Sequence, residues 1–315
     1  MTDRKLRLDT VATGTLVFCC AVWGLGQVAS KVALVEIPPF MQVAARSLGA
    51  ALLVALWAGA RGIRLTDRDG TLAAGLLCGV LFAIEFGCIF VGLKYTTASR
   101  MVVFVYLSPF VVALGMPLIA RSERLDALQA LGLIAAFAGV AWAFAEGFQK
   151  PSAADRQWLG DALGVGGAVF WGATTLVIRG SRLSQAAPEK TLMYQLVLAA
   201  VLLGLASWLI GEPWPKGLSP IPLLSLGFQT LMVCFASYLL WFWLVRHYPA
   251  TLLSAFTLLT PVFGLMAGVA LLGEPMTLRL LLALAAVAVG ILLVSRVKRV
   301  HAVSPARQKE VPDST

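Results

Sequence analysis

Ten apolar runs follow one another along the 315 residues, each about the length that crosses a bilayer and each closed by a short polar stretch. A membrane span needs roughly 20 apolar residues. The runs fall at about 12–34, 40–59, 71–92, 98–119, 127–145, 158–178, 191–210, 222–245, 251–272 and 277–295. They are apolar on all sides, whereas a helix on the surface of a soluble domain keeps one polar face. Composition points the same way, with 59% hydrophobic and 13% charged residues against about 45–50% and about 25% in soluble domains. The expected fold is an all-α integral membrane protein of ten transmembrane helices, held in the lipid bilayer. Ile37-Pro38-Pro39, Gly211-Glu212-Pro213 and Gly273-Glu274-Pro275 mark boundaries between runs.

The net charge of +9 is an orientation signal rather than a nucleic-acid footprint, because the basic residues sit in inter-span loops and tails. Of the 25 Lys and Arg, 17 fall in alternate loops and the two tails, six in the remaining loops, and Lys31 and Arg46 within spans. Positive charge stays on the cytoplasmic side, so both termini are predicted to be cytoplasmic. A disordered, basic cytoplasmic tail is predicted over 296–315. The five cysteines all lie in apolar runs and form no CxxC pair, which leaves no disulfide framework or metal site to draw. The apolar stretch after Arg4-Lys5-Leu6-Arg7 runs on to about Val35 without a small-x-small cleavage site, so it reads as a retained span. His247 and His301 are the only histidines. With no HExxH, no acid pair in mid-span and no phosphate loop, neither an enzyme nor a cofactor site is expected.

The chain repeats itself. Val22-Trp23-Gly24 with Lys31 recurs as Phe170-Trp171-Gly172 with Arg179, and Leu107-Ser108-Pro109-Phe110 as Leu259-Thr260-Pro261-Val262. Glu123 recurs as Glu274, and Gly139-Val140 as Gly290-Ile291. The unit is five spans, giving halves at 1–147 and 148–295. Five is odd, so the second half must enter the membrane upside down, the inverted-repeat plan of many transporters.

Trp23-Gly24 with Lys31 and Arg46, Gly92 to Ala98 running on to Leu107-Ser108-Pro109-Phe110, and Ser122-Glu123-Arg124-Leu125 leading to Gly139-Val140 resemble EamA-type proteins of the drug/metabolite transporter superfamily. The second half carries Leu259-Thr260-Pro261, Leu272-Gly273-Glu274-Pro275-Met276 and Gly290 in the same pattern. Arg121-Ser122-Glu123 departs from the Leu-Gly-Glu of the second half. The resemblance implies two five-helix EamA repeats around a central cavity, alternating access, and export of amino acids or related small metabolites.

Ionisable groups inside a membrane are costly and are functional candidates by default. Glu85 stands in mid-span, about eight residues from the external end of span 3, or roughly 12 Å deep. Arg46 lies at similar depth on span 2. Either the two serve a substrate, Arg46 for a carboxylate and Glu85 for an ammonium or a coupling proton, or they form an ion pair locking spans 2 and 3. Trp23, Gln27 and Lys31 share one face of span 1, and Trp171, Thr175 and Arg179 one face of span 6. Those stripes are either cavity walls or packing faces, with Lys31 and Arg179 snorkelling to the membrane surface. Pro109 and Pro261 each free a carbonyl four residues back, on Val105 and Thr257, as a hinge or a static kink. Tyr106, Tyr194, Gln195, Tyr238 and Thr257 complete the candidates for the substrate site.

The expected function is a secondary transporter, an exporter of small metabolites such as amino acids across the bacterial cytoplasmic (inner) membrane. Its partners would be a small-molecule substrate and protons as coupling ion, working as monomer or homodimer. The alternative is a broad-specificity exporter of amphiphilic, drug-like compounds.

Overall fold

The computed structural model describes residues 9–119, 127–128, 130–132, 134–135, 138–139, 142, 156–248, 253, 257 and 259–294. The predicted tail at 296–315, Glu123, about half of the fifth predicted span and the start of the ninth lie outside them. The described residues form helices and turns: α1 (Thr10–Ala33), α2 (Pro39–Ala60), α3 (Leu72–Gly92), α4 (Ala98–Val105), α5 (Ser108–Ile119), α6 (Gln157–Arg179) and α7 (Pro188–Leu209). A long rod follows, made of α8 (Pro220–Phe228), a π-helical stretch (Gln229–Ser237) and α9 (Tyr238–His247), and then α10 (Leu259–Leu272) and α11 (Leu278–Val294). Among the described residues seven helical segments are long and apolar enough to cross a membrane: α1, α2, α3, α4 with α5, α6, α7 and the α8–α9 rod. α10 and α11 are apolar but shorter.

Local signals explain the boundaries. The Asp9 side chain accepts from Ala12 N at 2.8 Å and starts α1, and Thr97 caps α4 in the same way. Prolines open α2, α7 and α8, where a missing N–H leaves nothing unpaired. Outward faces are apolar, with Leu118, Trp208 and Leu224 each more than 70% exposed. Such faces suit lipid as the solvent.

The two halves pack by one exchange rule. α1 lies on α10 as α6 lies on α4 and α5, and α3 lies on α6 as the α8–α9 rod lies on α1. α2 and α7 face each other. Small residues allow close approach: Gly75 and Gly79 of α3 lie against Tyr194 and Leu198 of α7, the packing use expected of their GxxxG spacing.

Three irregularities sit where the halves meet. The chain breaks at Tyr106–Leu107, between α4 and α5, so Pro109 falls in the first turn of a new helix. In the second half the Thr257 carbonyl accepts from Thr260 N at 3.0 Å, so it is not freed as the sequence predicts. The π-helical stretch has no counterpart in the equivalent helix α3, which is α-helical throughout; such stretches are rare and concentrate at functional sites.

Candidate functional site

Every group at the centre of the bundle stands on a different helix. Arg46 of α2 and Glu85 of α3 are 2% and 4% exposed. Of the two readings left open for them, a substrate pair or a locking ion pair, the structure shows no direct ion pair: no contact within 4.0 Å joins them. The guanidinium lies instead over the rings of Phe86 and Phe90, 4.1 and 4.6 Å from their centroids. The reason is the helical stripe Phe82–Phe86–Phe90, whose tilted and edge-on rings leave π faces of Phe86 and Phe90 to attract the cation. Nε and Nη2 of Arg46 and Oε2 of Glu85 are buried without a hydrogen-bond partner. An unpaired buried polar group is expensive, which singles these atoms out among the described residues.

Around this pair the two halves contribute aromatic walls. Tyr238, the first residue after the π-helical stretch, is within electrostatic reach of both Arg46 and Glu85 and packs on Phe82 and Trp23. Trp23 donates from Nε1 to Ser237 Oγ at 2.8 Å. Tyr106, at the break between α4 and α5, meets Trp171 of α6 edge-on at 5.5 Å. The layer thus brings one cation and one carboxylate together with the rings of Trp23, Phe82, Phe86, Phe90, Tyr106, Trp171 and Tyr238 in a packed centre.

The sequence candidates divide accordingly. The structure brings together Trp23, Arg46, Glu85, Tyr106, Trp171 and Tyr238. Gln27 keeps its Oε1 buried and unpartnered one turn along α1 from Trp23. Thr175 is spent on its own helix, donating to the Trp171 carbonyl at 3.1 Å. Tyr194 stands apart, packed on Gly75 with its hydroxyl 3.3 Å from Thr71 Oγ1. Gln195 and Thr257 are buried. Arg179 is exposed at the end of α6, as snorkelling requires. Lys31 does not snorkel: Nζ donates to the Leu93 carbonyl at 2.9 Å and also to the Thr96 carbonyl, capping the C-terminal end of α3.

Sequence reasoning passed over a second cluster, at the end of the bundle predicted to be external. Asp161, in the first turns of α6, is fully buried and meets Arg100 of α4 at 2.6 Å; it also accepts from Thr96 Oγ1 at 2.6 Å. Glu274 accepts from Ala98 N and Ser99 N at 2.8 and 2.9 Å and from Ser99 Oγ at 2.6 Å. Glu212 accepts from Phe40 N and Met41 N at 3.1 and 2.9 Å and from Ser207 Oγ at 2.7 Å. Glu36 accepts from Ser219 N at 2.7 Å and from its hydroxyl. The signal was present twice in the sequence as Gly-Glu-Pro. Gly211 and Gly273 have φ of +68° and +63°, and Glu212 N and Glu274 N bond back to the carbonyls of Ser207 and Gly268. This left-handed helix ending needs glycine and aims the next residue, the glutamate, across to the other half.

At the opposite end Lys190 of α7 pairs with Asp69 at 2.8 Å and donates to the Asp67 carbonyl, while Tyr248 donates to Asp9. The Lys190 ammonium, followed by the Thr71 hydroxyl, holds the Asp69 carboxyl well below the usual carboxylate range. A depressed native value stabilises the fold above the unfolded-state pKa of about 3.9 and is lost as pH falls through the native one. The melting difference between wild type and Asp69→Asn is therefore expected to be constant from pH 8 to about pH 5 and to shrink only below about pH 4. A difference that already shrinks between pH 7 and 5 would contradict this pairing.

Comparison with known proteins places this geometry. The model of the EamA-like transporter family matches residues 12–145 and again 158–296. The uncharacterized transporter YvbV of Bacillus subtilis (strain 168) is 29% identical over 290 residues, 89% of this chain and 90% of that protein. The uncharacterized transporter YyaM of the same organism is 26% identical over 268 residues, 84% and 86% of the two chains. A solved crystal structure, 18% identical, superposes with a TM-score of 0.66 over 91% of this chain and 96% of its own.

Proposed function

This chain belongs to the EamA-like transporter family, a multi-pass membrane transporter, and on that premise we propose that it carries a small zwitterionic metabolite such as an amino acid. The reading rests on one observation: Arg46 and Glu85 lie buried together at the meeting of the halves, each with polar atoms that no protein group satisfies. A carboxylate would take the two N–H groups of Arg46 in the forked geometry guanidinium favours, and an ammonium or a proton would take Glu85. Ten spans in two inverted halves, 1–147 and 148–295, rock about this layer. Charge counting supports both termini on the cytoplasmic side of a bacterial inner membrane. Transport runs outward, with protons as coupling ion, in a monomer or homodimer. The aromatic walls of Trp23, Phe82, Phe86, Tyr106, Trp171 and Tyr238 favour the second reading, export of amphiphilic compounds, if zwitterions are not carried.

The test is uptake into proteoliposomes of an amino-acid panel, repeated for Glu85→Gln with and without a pH gradient. Glu85→Gln is expected to abolish stimulation by the gradient. Zwitterion transport unaltered by the substitution would remove Glu85 from the mechanism, and no uptake of any panel member would shift the reading to amphiphiles.

A further inference from the structure

We propose that Glu36, Glu212 and Glu274 are the positioning residues of the external gate: each is carried by a loop of one half and grips the start of a helix in the other. The inference takes its sidedness and its rocking motion from the proposed function. Glu212 and Glu274 belong to the second half and hold the first turns of α2 and α4; Glu36 belongs to the first half and holds Ser219, which precedes α8. Helix N-termini expose unpaired N–H groups and carry partial positive charge. A carboxylate there makes charge-assisted hydrogen bonds, about twice as strong as neutral ones.

Among the described residues the opposite end is held by different contacts. There Asp9 caps its own helix α1, and Asp69 accepts from Thr71 N and its hydroxyl next to the start of α3. Among the described residues, the bonds between halves at that end include the ion pair of Lys190 with the 38%-exposed Asp69, the Lys190 bond to the Asp67 carbonyl, the Tyr248–Asp9 hydrogen bond and the 3.3 Å contact of the Thr71 and Tyr194 hydroxyls. At the external end the Glu274 grip converges with Lys31 and the Arg100–Asp161 pair on the segment from Leu93 to Arg100. Lys31 is also within electrostatic reach of Glu274. Rocking that opens this end must pull the α4 start off Glu274 and the α2 start off Glu212, so these acids set the population of the externally open state.

The test is pulsed electron double resonance in liposomes on a cysteine-free background carrying spin labels at Lys94→Cys and Lys216→Cys. Both positions are exposed at this end, one in each half. Glu212→Gln with Glu274→Gln is expected to raise the population at longer distance about tenfold, and Glu274→Asp restores the short distance. An unchanged distribution, or a lower melting temperature without a longer-distance population, overturns the gate. Should the double variant fail to fold, the single variants are read, and no lengthening in either overturns it equally. The measurement uses no substrate, so it stands or falls separately from the uptake experiment.

Discussion

Asp161→Ala is expected to destabilise the protein by about 3–5 kcal/mol, the usual consequence of removing one partner of a buried ion pair. Asp161 is fully buried and Arg100 is 4% exposed. Their 2.6 Å contact is reinforced by bonds from Arg100 Nε to both carboxylate oxygens. Without the acid, the guanidinium stays in a site packed by Phe104, and Thr96 loses its acceptor. Replacing both partners, with Arg100→Met and Asp161→Leu, is expected to recover most of the loss, because an apolar pair of similar volume avoids the desolvation cost. Unfolding free energies from detergent titration in mixed micelles check both numbers. A single variant within about 1 kcal/mol of wild type would mean that water or lipid headgroups reach Arg100.

Arg46→Met is expected to reverse the usual coupling of stability and function. No acid pairs with Arg46, so its removal leaves no orphaned partner, and methionine can pack on Phe86 and Phe90. Melting temperature should therefore hold or rise, as when a functional site is neutralised. Transport should fall steeply. Two hydrogen bonds from a charged group, at about 1.5–3 kcal/mol each, convert to at least about a hundredfold loss in apparent affinity at about 1.4 kcal/mol per factor of ten. Arg46→Lys keeps the charge without the planar fork and should land between the two. Unfolding of Arg46→Met at lower temperature, with transport intact, would make Arg46 a structural clamp on α3.

The central layer was partly readable in advance. Arg46 and Glu85 declare themselves because charge is rare inside apolar runs, and Trp23, Trp171, Tyr106 and Tyr238 because each lies at or near mid-span with an aromatic ring. Their grouping was not readable, nor was the replacement of an ion pair by stacking on Phe86 and Phe90. Phenylalanine in an apolar run carries no signal of its own. Tyr194 looked equivalent to Tyr238, yet it faces Gly75 and Gly79, two small residues that make room for a ring on a neighbouring helix. Asp161 was missed because it lies within a turn of the predicted start of span 6, where an acid reads as close to the membrane surface rather than buried. Glu212 and Glu274 were read as punctuation between spans. The same Gly-Glu-Pro that ends each helix also aims a carboxylate across the bundle, and nothing local says at what.

Membrane residence, the positions of the spans and the division into two like halves follow from one-dimensional properties. Run length is matched to bilayer thickness, and repetition is visible along the chain wherever it occurs. Partner choice between helices is three-dimensional. Which carboxylate meets which helix start, and which buried charge stays unpaired, depends on the rotation and depth of helices more than 100 residues apart in sequence. A shift of one residue turns a helical side chain by about 100°, so the π-helical stretch before Tyr238 re-aims that residue without changing the apolar pattern at all. Lipid rewards any apolar outward face alike. Only the packing of the two halves against each other decides which polar atoms are satisfied and which are not.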